Sequence, residues 1–260
     1  MPRPACARAA LRCARRWPTP RHRSAMAHGI QFEALAEDAL LLRFGERIDI
    51  ELNARVQAAA ARLRRRLPQL ECVPAYASVL LRFDPACWNG HGGSDPHRRL
   101  QDAVNAVLGE GGEIPATPRE RIIPVCYGGE YGPDLADAAA HCGLTVDALI
   151  DRHTAAGYRV AMLGFAPGFP YLLGLDPQLA MPRRRDPRQR VPAGSVAIGG
   201  SQTGIYPEAL PGGWQLIGRT PLRLFDAAAS PPSLLAAGDR VRFQAIGEDR
   251  FRQLAAADPR

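Results

Sequence analysis

The sequence predicts an α+β protein in which a small N-terminal α/β sandwich precedes a domain of short β-strands. Within residues 28–115, strand-like and helix-like segments follow the order β-β-α-β-β-α. From Tyr158 onward, the apolar runs are short and are broken by Gly and Pro, as in a barrel or a β-sandwich. The segment 109–118, GEGGEIPATP, has the composition of a linker. We therefore expect two domains, at 28–115 and 116–260.

The clearest element of the first domain is a helix over 49–67. Its apolar residues Ile50, Val56, Ala60 and Leu63 recur at helical spacing, and Pro68 ends the pattern. The other elements predicted in this domain are strands at 30–35, at 40–44 and within 71–83, and a helix over 95–108.

The second domain is predicted to begin with a strand over 121–127. Two short helices follow, over 133–142 and 145–156, and each starts at a good capping residue, Asp134 and Thr145. Short β-runs make up most of the remaining chain. The last predicted element is a helix over 247–257.

The basic character of the chain is concentrated at its beginning. Residues 1–25 hold seven arginines and no acid, and the formal net charge of the whole chain is +7. The remainder is therefore neutral and gives no support for a nucleic-acid partner. We predict that residues 1–27 are a leader, either disordered or translated from a start assigned too early, with Met26 the favoured start. A transit peptide is the alternative.

All 33 basic residues are arginine. The absence of lysine excludes a Walker-A phosphate loop, and it excludes Schiff-base or pyridoxal chemistry on a lysine of this chain. It also excludes a biotin or lipoyl attachment site. Any ionic contact to an anionic substrate must therefore come from arginine.

Several other site classes lack their sequence signatures. No CxxC, HxH or HExxH motif occurs, so we predict no metal site. No GxSxG motif marks a hydrolase nucleophile. The four cysteines beyond the leader are widely spaced, and no apolar run is long enough to cross a membrane. These features predict a cytoplasmic protein with no membrane partner.

Four segments carry candidate site residues. In GFAPGFP (164–170), glycines and prolines constrain a backbone that presents aromatic residues, so the segment is either a pocket wall or a rigid barrel corner. The arginine run within 182–190 is either an anion site or a solvated loop. The turn GGSQTGIYP (199–207) is either a hydrogen-bonding loop for an amide or carboxylate, or a tight hairpin. In PGGWQLIGRTP (211–221), Arg219 and Thr220 form either an anion-binding pair or an exposed strand end.

These segments resemble the family of the 5-oxoprolinase B subunit, also described as allophanate hydrolase subunit 1 or the carboxyltransferase-domain type. The resemblance covers roughly residues 28–250, and His153 with Thr154 also fits it. Leu210 and Ser201 depart from the family pattern. The blocks that carry it are GFAPGFPYLLGL (164–175), PRRRDPRQRVPAGSVAIGGSQTGIYP (182–207) and PGGWQLIGRTPLRLFD (211–226).

The resemblance implies that the second domain is a cyclophilin-like β-barrel. It also implies a function within a complex, together with the A and C subunits of 5-oxoprolinase, that uses ATP to open the lactam of 5-oxoproline to glutamate. ATP would be bound mainly by the partner subunits. The alternatives are a urea- or allophanate-type amide-processing protein and a non-catalytic inhibitor of a histidine kinase.

We expect the substrate to occupy a pocket at the barrel mouth, at a site shared with the C subunit. His153 is the expected proton-transfer residue, because the ordinary pKa of histidine suits neutral pH. The expected pocket wall consists of Phe165, Pro167, Gly168 and Phe169. The expected substrate-binding residues are Arg183, Arg188, Gln202, Thr203, Tyr206, Arg219 and Thr220.

Overall fold

A computed structural model describes residues 25–26, 29–88, 95–110 and 119–257. Most of the predicted leader and most of the predicted linker, at 111–118, lie outside the described residues. Ala25 and Met26 belong to the predicted leader, yet they form a short strand that pairs with the next one.

The N-terminal part is an antiparallel sheet with two long helices. The helix α1 contacts β4 and β5, and α2 packs beside α1. The spatial strand order is β1-β2-β3-β5-β4. The elements are β1 (Ala25–Met26), β2 (Ile30–Ala36), β3 (Ala39–Arg43), α1 (Ile50–Arg66), β4 (Glu71–Pro74), β5 (Ser78–Arg82) and α2 (Pro96–Gly109).

The helix α1 forms where its apolar spacing predicted it. Asp49 caps the helix, since its carboxylate accepts a hydrogen bond of 2.8 Å from the Leu52 N–H. Val56, Ala60 and Leu63 are fully buried in the core cluster that α1 shares with the sheet. Asn53, on the same side of the helix, is also fully buried, and its side-chain amide donates to the Ala161 carbonyl of the C-terminal part.

The C-terminal part is a closed seven-stranded barrel with the order β10-β11-β8-β7-β14-β6-β13. A separate two-stranded ribbon, β9–β12, carries part of the arginine run. The strands are β6 (Glu120–Tyr127), β7 (Tyr158–Leu163), β8 (Pro170–Leu173), β9 (Arg188–Val191), β10 (Ser195–Gly199), β11 (Gln202–Ile205), β12 (Leu210–Gly212), β13 (Gln215–Arg219) and β14 (Arg240–Ala245). The helices are α3 (Leu135–His141), α4 (Val146–Ala155) and α5 (Glu248–Ala257).

The strands β10 and β11 have one face inside the barrel and one outside. Val196, Ile198 and Ile205 join a core cluster to which all seven barrel strands contribute. Because side chains alternate along a strand, the intervening residues Ala197 and Tyr206 lie on the outer face, in a separate cluster. This outer cluster contains most of the aromatic residues of the predicted site.

The fold class is confirmed, since the chain combines a small α/β sandwich with a barrel. One local interpretation was wrong. Thr145 does cap α4 through the Ala148 N–H, at 3.2 Å, but the Asp134 side chain makes no capping hydrogen bond to α3. Asp134 instead binds the barrel and the arginine run, because its buried carboxylate is surrounded by stronger donors.

Candidate functional site

An aromatic cavity of about 200 Å³ lies against the outer face of the barrel. It lies outside the main core cluster, which fills the barrel interior, and its wall includes residues of the outer aromatic cluster. The arginines Arg183 and Arg184 and the segment 211–213 complete its wall. Five aromatic residues line it: Phe165, Phe169, Tyr171, Tyr206 and Trp214.

Phe165 has the least ordinary backbone in this cavity. Its φ is 70°, and it is the one non-glycine residue with positive φ in the described part of the chain. Its side chain is 62% exposed although its ring lies 5.4 Å from that of Phe169. A non-glycine residue in the left-handed region costs on the order of 1–3 kcal/mol, and such strain concentrates at ligand sites.

Two of the four residues predicted to form the pocket wall line the cavity. Phe165 and Phe169 line the cavity, whereas Pro167 and Gly168 do not. Gly168 has a φ of 79°, and a Cβ atom there would lie 2.7 Å from the Phe225 Cβ. Gly168 therefore shapes the turn that presents the two phenylalanines.

Trp214 forms the floor of the cavity and is fitted closely to the barrel. A Cβ atom on Gly199 would lie 2.6 Å from its ring, so glycine is required at that position of β10. The Trp214 ring meets that of Phe169 edge to face, with centroids 5.7 Å apart. Edge-to-face contacts of this kind fix ring positions and stabilise the wall.

Arg183 places a positive charge over this aromatic floor. Its guanidinium carbon lies 5.6 Å from the centroid of the Trp214 ring. No described acid lies within ion-pair distance of the Arg183 side chain. Burial raises the pKa of Tyr206, and the Trp214 backbone N–H and the Arg183 charge oppose that rise. The cavity is therefore an apolar slot with one unpaired cation at its edge.

Arg188 is held by an acid. Its Nη2 lies 2.7 Å from Asp134 Oδ1, and Arg184 Nη1 lies 3.2 Å from the same oxygen. The Leu216 N–H donates to Asp134 Oδ2 at 2.7 Å. Asp134 thus joins the start of α3, the strand β13 and the arginine run.

His153 and Thr203 lie inside the barrel and do not reach the aromatic cavity. Both are fully buried. Thr203 donates to the Ala197 carbonyl at 3.0 Å, so its oxygen accepts from His153 Nε2 at 3.2 Å. His153 Nδ1 then accepts from the Tyr127 hydroxyl at 2.8 Å. Burial lowers the pKa of His153 to about 3, so the ring is neutral at physiological pH.

The other predicted binding residues are dispersed. Gln202 is half-buried at the start of β11, outside the cavity lining. The Arg219 guanidinium lies 5.8 Å from the Tyr131 ring centroid, at a different place on the barrel. Thr220 is fully buried, and its hydroxyl accepts from the Leu222 N–H at 3.3 Å. Of the predicted binding residues, Arg183 and Tyr206 are brought together at the cavity.

The sequence-based site did not include Tyr171, Arg184 and Trp214, which line the cavity, or Asp134, which binds Arg184 and Arg188. Tyr171 lies two residues after Phe169, so the alternation of side chains along a strand would place the two rings on the same face. Tyr76, from the N-terminal sheet, lies edge-on to Tyr171 at 6.0 Å, and no local pattern predicts that contact.

The described residues contain no group of three or more His, Cys, Asp or Glu side chains that could hold a metal ion. None of the helices in the described part is both long and apolar enough for a membrane span. Predicted absences of a metal or membrane partner remain predictions.

The barrel, the appended sandwich and the outer aromatic cavity define a carboxyltransferase-type domain protein. The family described as "Carboxyltransferase domain, subdomain C and D" matches residues 30–235. A solved structure, that of TTHA0988, has a TM-score of 0.69 with 40% identity and covers 80% of this chain. This chain covers 40% of that longer one.

The most informative relatives are named for one activity. A protein of Bacillus subtilis (strain 168), named as the B subunit of 5-oxoprolinase, is 46% identical over 227 residues, which span 85% of this chain and 95% of that protein. Its namesake in Escherichia coli O157:H7 is 44% identical over 214 residues, covering 80% of this chain and 93% of that one. The chain belongs to the carboxyltransferase-domain family, among the B subunits of 5-oxoprolinase.

A more distant match is a putative urea carboxylase of Emericella nidulans. It is 32% identical over 136 residues, which span 48% of this chain and 11% of that protein. The partial coverage makes this protein a weaker guide than the 5-oxoprolinase relatives.

Proposed function

We propose that this chain is the B subunit of an ATP-dependent 5-oxoprolinase, which opens the lactam of 5-oxoproline to give glutamate. The observation that carries the proposal is the aromatic cavity with the unpaired Arg183 at its edge, in a chain whose relatives bear that name. Shape and charge both suit a small, flat ring that bears a carboxylate.

The substrate's own chemistry explains this arrangement. 5-Oxoproline has an apolar ring face, a lactam amide and one carboxylate. Aromatic walls exclude water from the ring, and a guanidinium binds a carboxylate through two parallel N–H groups. We assign the ring to the slot formed by Phe165, Phe169 and Trp214, and the carboxylate to Arg183.

The lactam amide needs hydrogen-bonding groups of its own. Tyr206 lines the cavity and carries a phenolic hydroxyl that can donate to the lactam oxygen. Gly212 and Gly213 bring backbone close to the same space. These groups orient the amide, and no described group of this cavity is a strong base.

The missing base supports a shared site. A five-membered lactam is an unreactive amide, so its opening is coupled to ATP, for example through activation of the carbonyl oxygen. We propose that the cavity is completed by the C subunit from the open side, where Phe165 is exposed, and that the complex also includes the A subunit. The proposal does not use His153, because its ring is fully buried in the barrel.

Co-expression with candidate A and C subunits tests the function. The measurement is glutamate release that depends on both ATP and 5-oxoproline. The proposal predicts release by the complex and none by this chain alone. Release by the isolated chain would contradict the shared site. A complex that processes urea in place of 5-oxoproline would favour the amide-processing alternative suggested by the urea carboxylase match.

Arg183→Met tests the binding site within the active complex. Loss of a charge-assisted carboxylate contact costs roughly 1.5–3 kcal/mol, so we expect KM for 5-oxoproline to rise by about 10- to 100-fold. Arg190→Met is the matched control, because Arg190 is exposed on β9 and outside the cavity lining. An unchanged KM in Arg183→Met would remove Arg183 from the site.

Arg219→Met tests the second arginine assigned from the sequence. The variant should fold, because the side chain is half-buried and ion-pairs with no described acid. Arg219 does not line the aromatic cavity, so weaker turnover would place it in a part of the substrate site that the partner subunits complete. Unchanged turnover would remove Arg219 from the substrate site.

A further inference from the structure

A second, polar cavity lies beside the aromatic one. Its volume is about 400 Å³, and it shares Arg183 and Arg184 with the aromatic cavity. Arg185, His141 and Gln215 also line it, together with the acids Asp137 and Asp186. The two shared arginines therefore form a wall between an apolar compartment and a basic one.

The ion pairs at this wall leave a positive charge uncompensated. Arg184 and Arg188 both donate to Oδ1 of Asp134, and the Leu216 N–H donates to Oδ2. One carboxylate thus serves two guanidinium groups. Nε of Arg184, which lines both cavities, is buried and has no hydrogen-bond partner among the described residues.

A buried donor without an acceptor is costly, so the unpartnered Nε of Arg184 suggests an absent acceptor. Arg183 and Arg185 add further charge, because neither pairs with an acid among the described residues. The acids Asp137 and Asp186 are exposed, so they compensate these arginines weakly.

We propose that the polar cavity is a binding site for a phosphoryl group. A phosphate has several acceptor oxygens and matches the planar fork of arginine, so it would complete the contacts that Asp134 leaves open. The shared wall would hold that group next to a ring bound in the aromatic cavity. Identification of the group with a phosphate of ATP rests on the proposed function, whereas the anion site itself does not.

The test uses the purified full chain and inorganic phosphate, titrated by calorimetry at constant ionic strength. Arg185→Gln is the probe variant, because Arg185 lines the polar cavity but neither lines the aromatic cavity nor binds Asp134. We expect about tenfold weaker phosphate binding, the effect of losing one charge-assisted hydrogen bond. Arg190→Gln removes the same charge outside the cavity and should bind phosphate as the wild type does.

Two further arms distinguish the source of the phosphoryl group. Competition by ATP assigns the site to a nucleotide phosphate, and phosphate binding without competition by ATP assigns it to a free phosphate. The proposal is overturned if the wild type shows no saturable phosphate binding, or if Arg185→Gln and Arg190→Gln bind phosphate equally. Glutamate release by the complex is measured separately, so a failed anion site with intact release leaves the proposed function standing.

Discussion

His153 shows how burial changes the role of a residue. Its ring stacks on Phe243 with centroids 4.5 Å apart, and both ring nitrogens have hydrogen-bonding partners within the protein. Full burial disfavours the imidazolium form, because a charge in the barrel interior would lose its hydration. A residue that the sequence offered for proton transfer is thus a neutral link between α4 and the barrel.

The depressed pKa of His153 makes the stability of the protein depend on pH. The unfolded chain takes up a proton near pH 6.5, whereas the folded chain takes it up near pH 3. The free energy of unfolding is therefore unaffected by this group above about pH 6.5, and it decreases as the pH falls from 6.5 toward 3. We expect a decline on the order of 1 kcal/mol per pH unit across that window, measured by urea denaturation.

His153→Gln provides the comparison, because glutamine does not titrate in this range. Its stability should fall less steeply with decreasing pH than that of the wild type. Equal slopes would contradict a neutral, buried His153. The ring resonances of His153 in NMR spectra offer a second measurement, and they should not shift between about pH 8 and pH 5, since both values lie well above the folded pKa.

At the scale of elements, Asp134 fixes the ribbon β9–β12 and the arginine run against the barrel. The Arg184 N–H also donates to the Gly213 carbonyl at 2.7 Å, so the run is tied by backbone as well as by side chains. These contacts place Arg183 over Trp214. Asp134 is a positioning residue for the site, since it does not line either cavity.

Asp134→Asn should destabilise the protein and loosen the site. The carboxylate is 7% exposed and binds two arginines and a backbone N–H, so its neutralisation leaves two partly buried positive charges uncompensated. We expect the free energy of unfolding to fall by about 2–4 kcal/mol, measured by urea denaturation.

Kinetic measurements distinguish a positioning role of Asp134 from an effect on stability alone. In the active complex, Asp134→Asn should raise KM for 5-oxoproline more than it lowers kcat, because Arg183 loses its fixed position. Asp151→Asn, at an exposed position of α4, is the control and should change neither quantity. An unaltered KM in Asp134→Asn would show that Asp134 acts on stability alone.

Across the whole molecule, the sandwich and the barrel are joined by α1. Asn53 Nδ2 and Gln57 Nε2 both donate to the Ala161 carbonyl of β7, at 3.2 and 2.7 Å. Asn53 also donates to the Ala75 and Tyr76 carbonyls at 3.0 and 3.2 Å. The same residue thus supports the loop that holds Tyr76 against Tyr171, a residue of the cavity wall.

Asn53→Ala should weaken this junction. Asn53 is fully buried, so its removal leaves carbonyl groups without their donor. We expect a loss of about 1–3 kcal/mol in the free energy of unfolding, measured by urea denaturation. Arg55→Ala, at an exposed position of the same helix, should stay close to the wild type. Equal stability of the two variants would show that the Asn53 contacts are not stabilising.

Much of the architecture could be predicted from local patterns. The spacing in α1, the cap at Thr145, and the Gly- and Pro-broken strands all encode local geometry, so they could be predicted from one sequence. The aromatic wall was partly predictable for the same reason. The positions of His153 and Arg188 were not, because burial and ion pairing depend on elements distant in sequence.

Composition and ordered motifs were enough to predict the fold class, the family and the rule that every ionic contact to an anion comes from arginine. Which arginine is unpaired, and which face of the barrel carries the cavity, became visible in the folded chain alone, because charge compensation and burial depend on groups that are neighbours in space. Asp134 and Arg188 lie far apart in the chain and 2.7 Å apart in the fold.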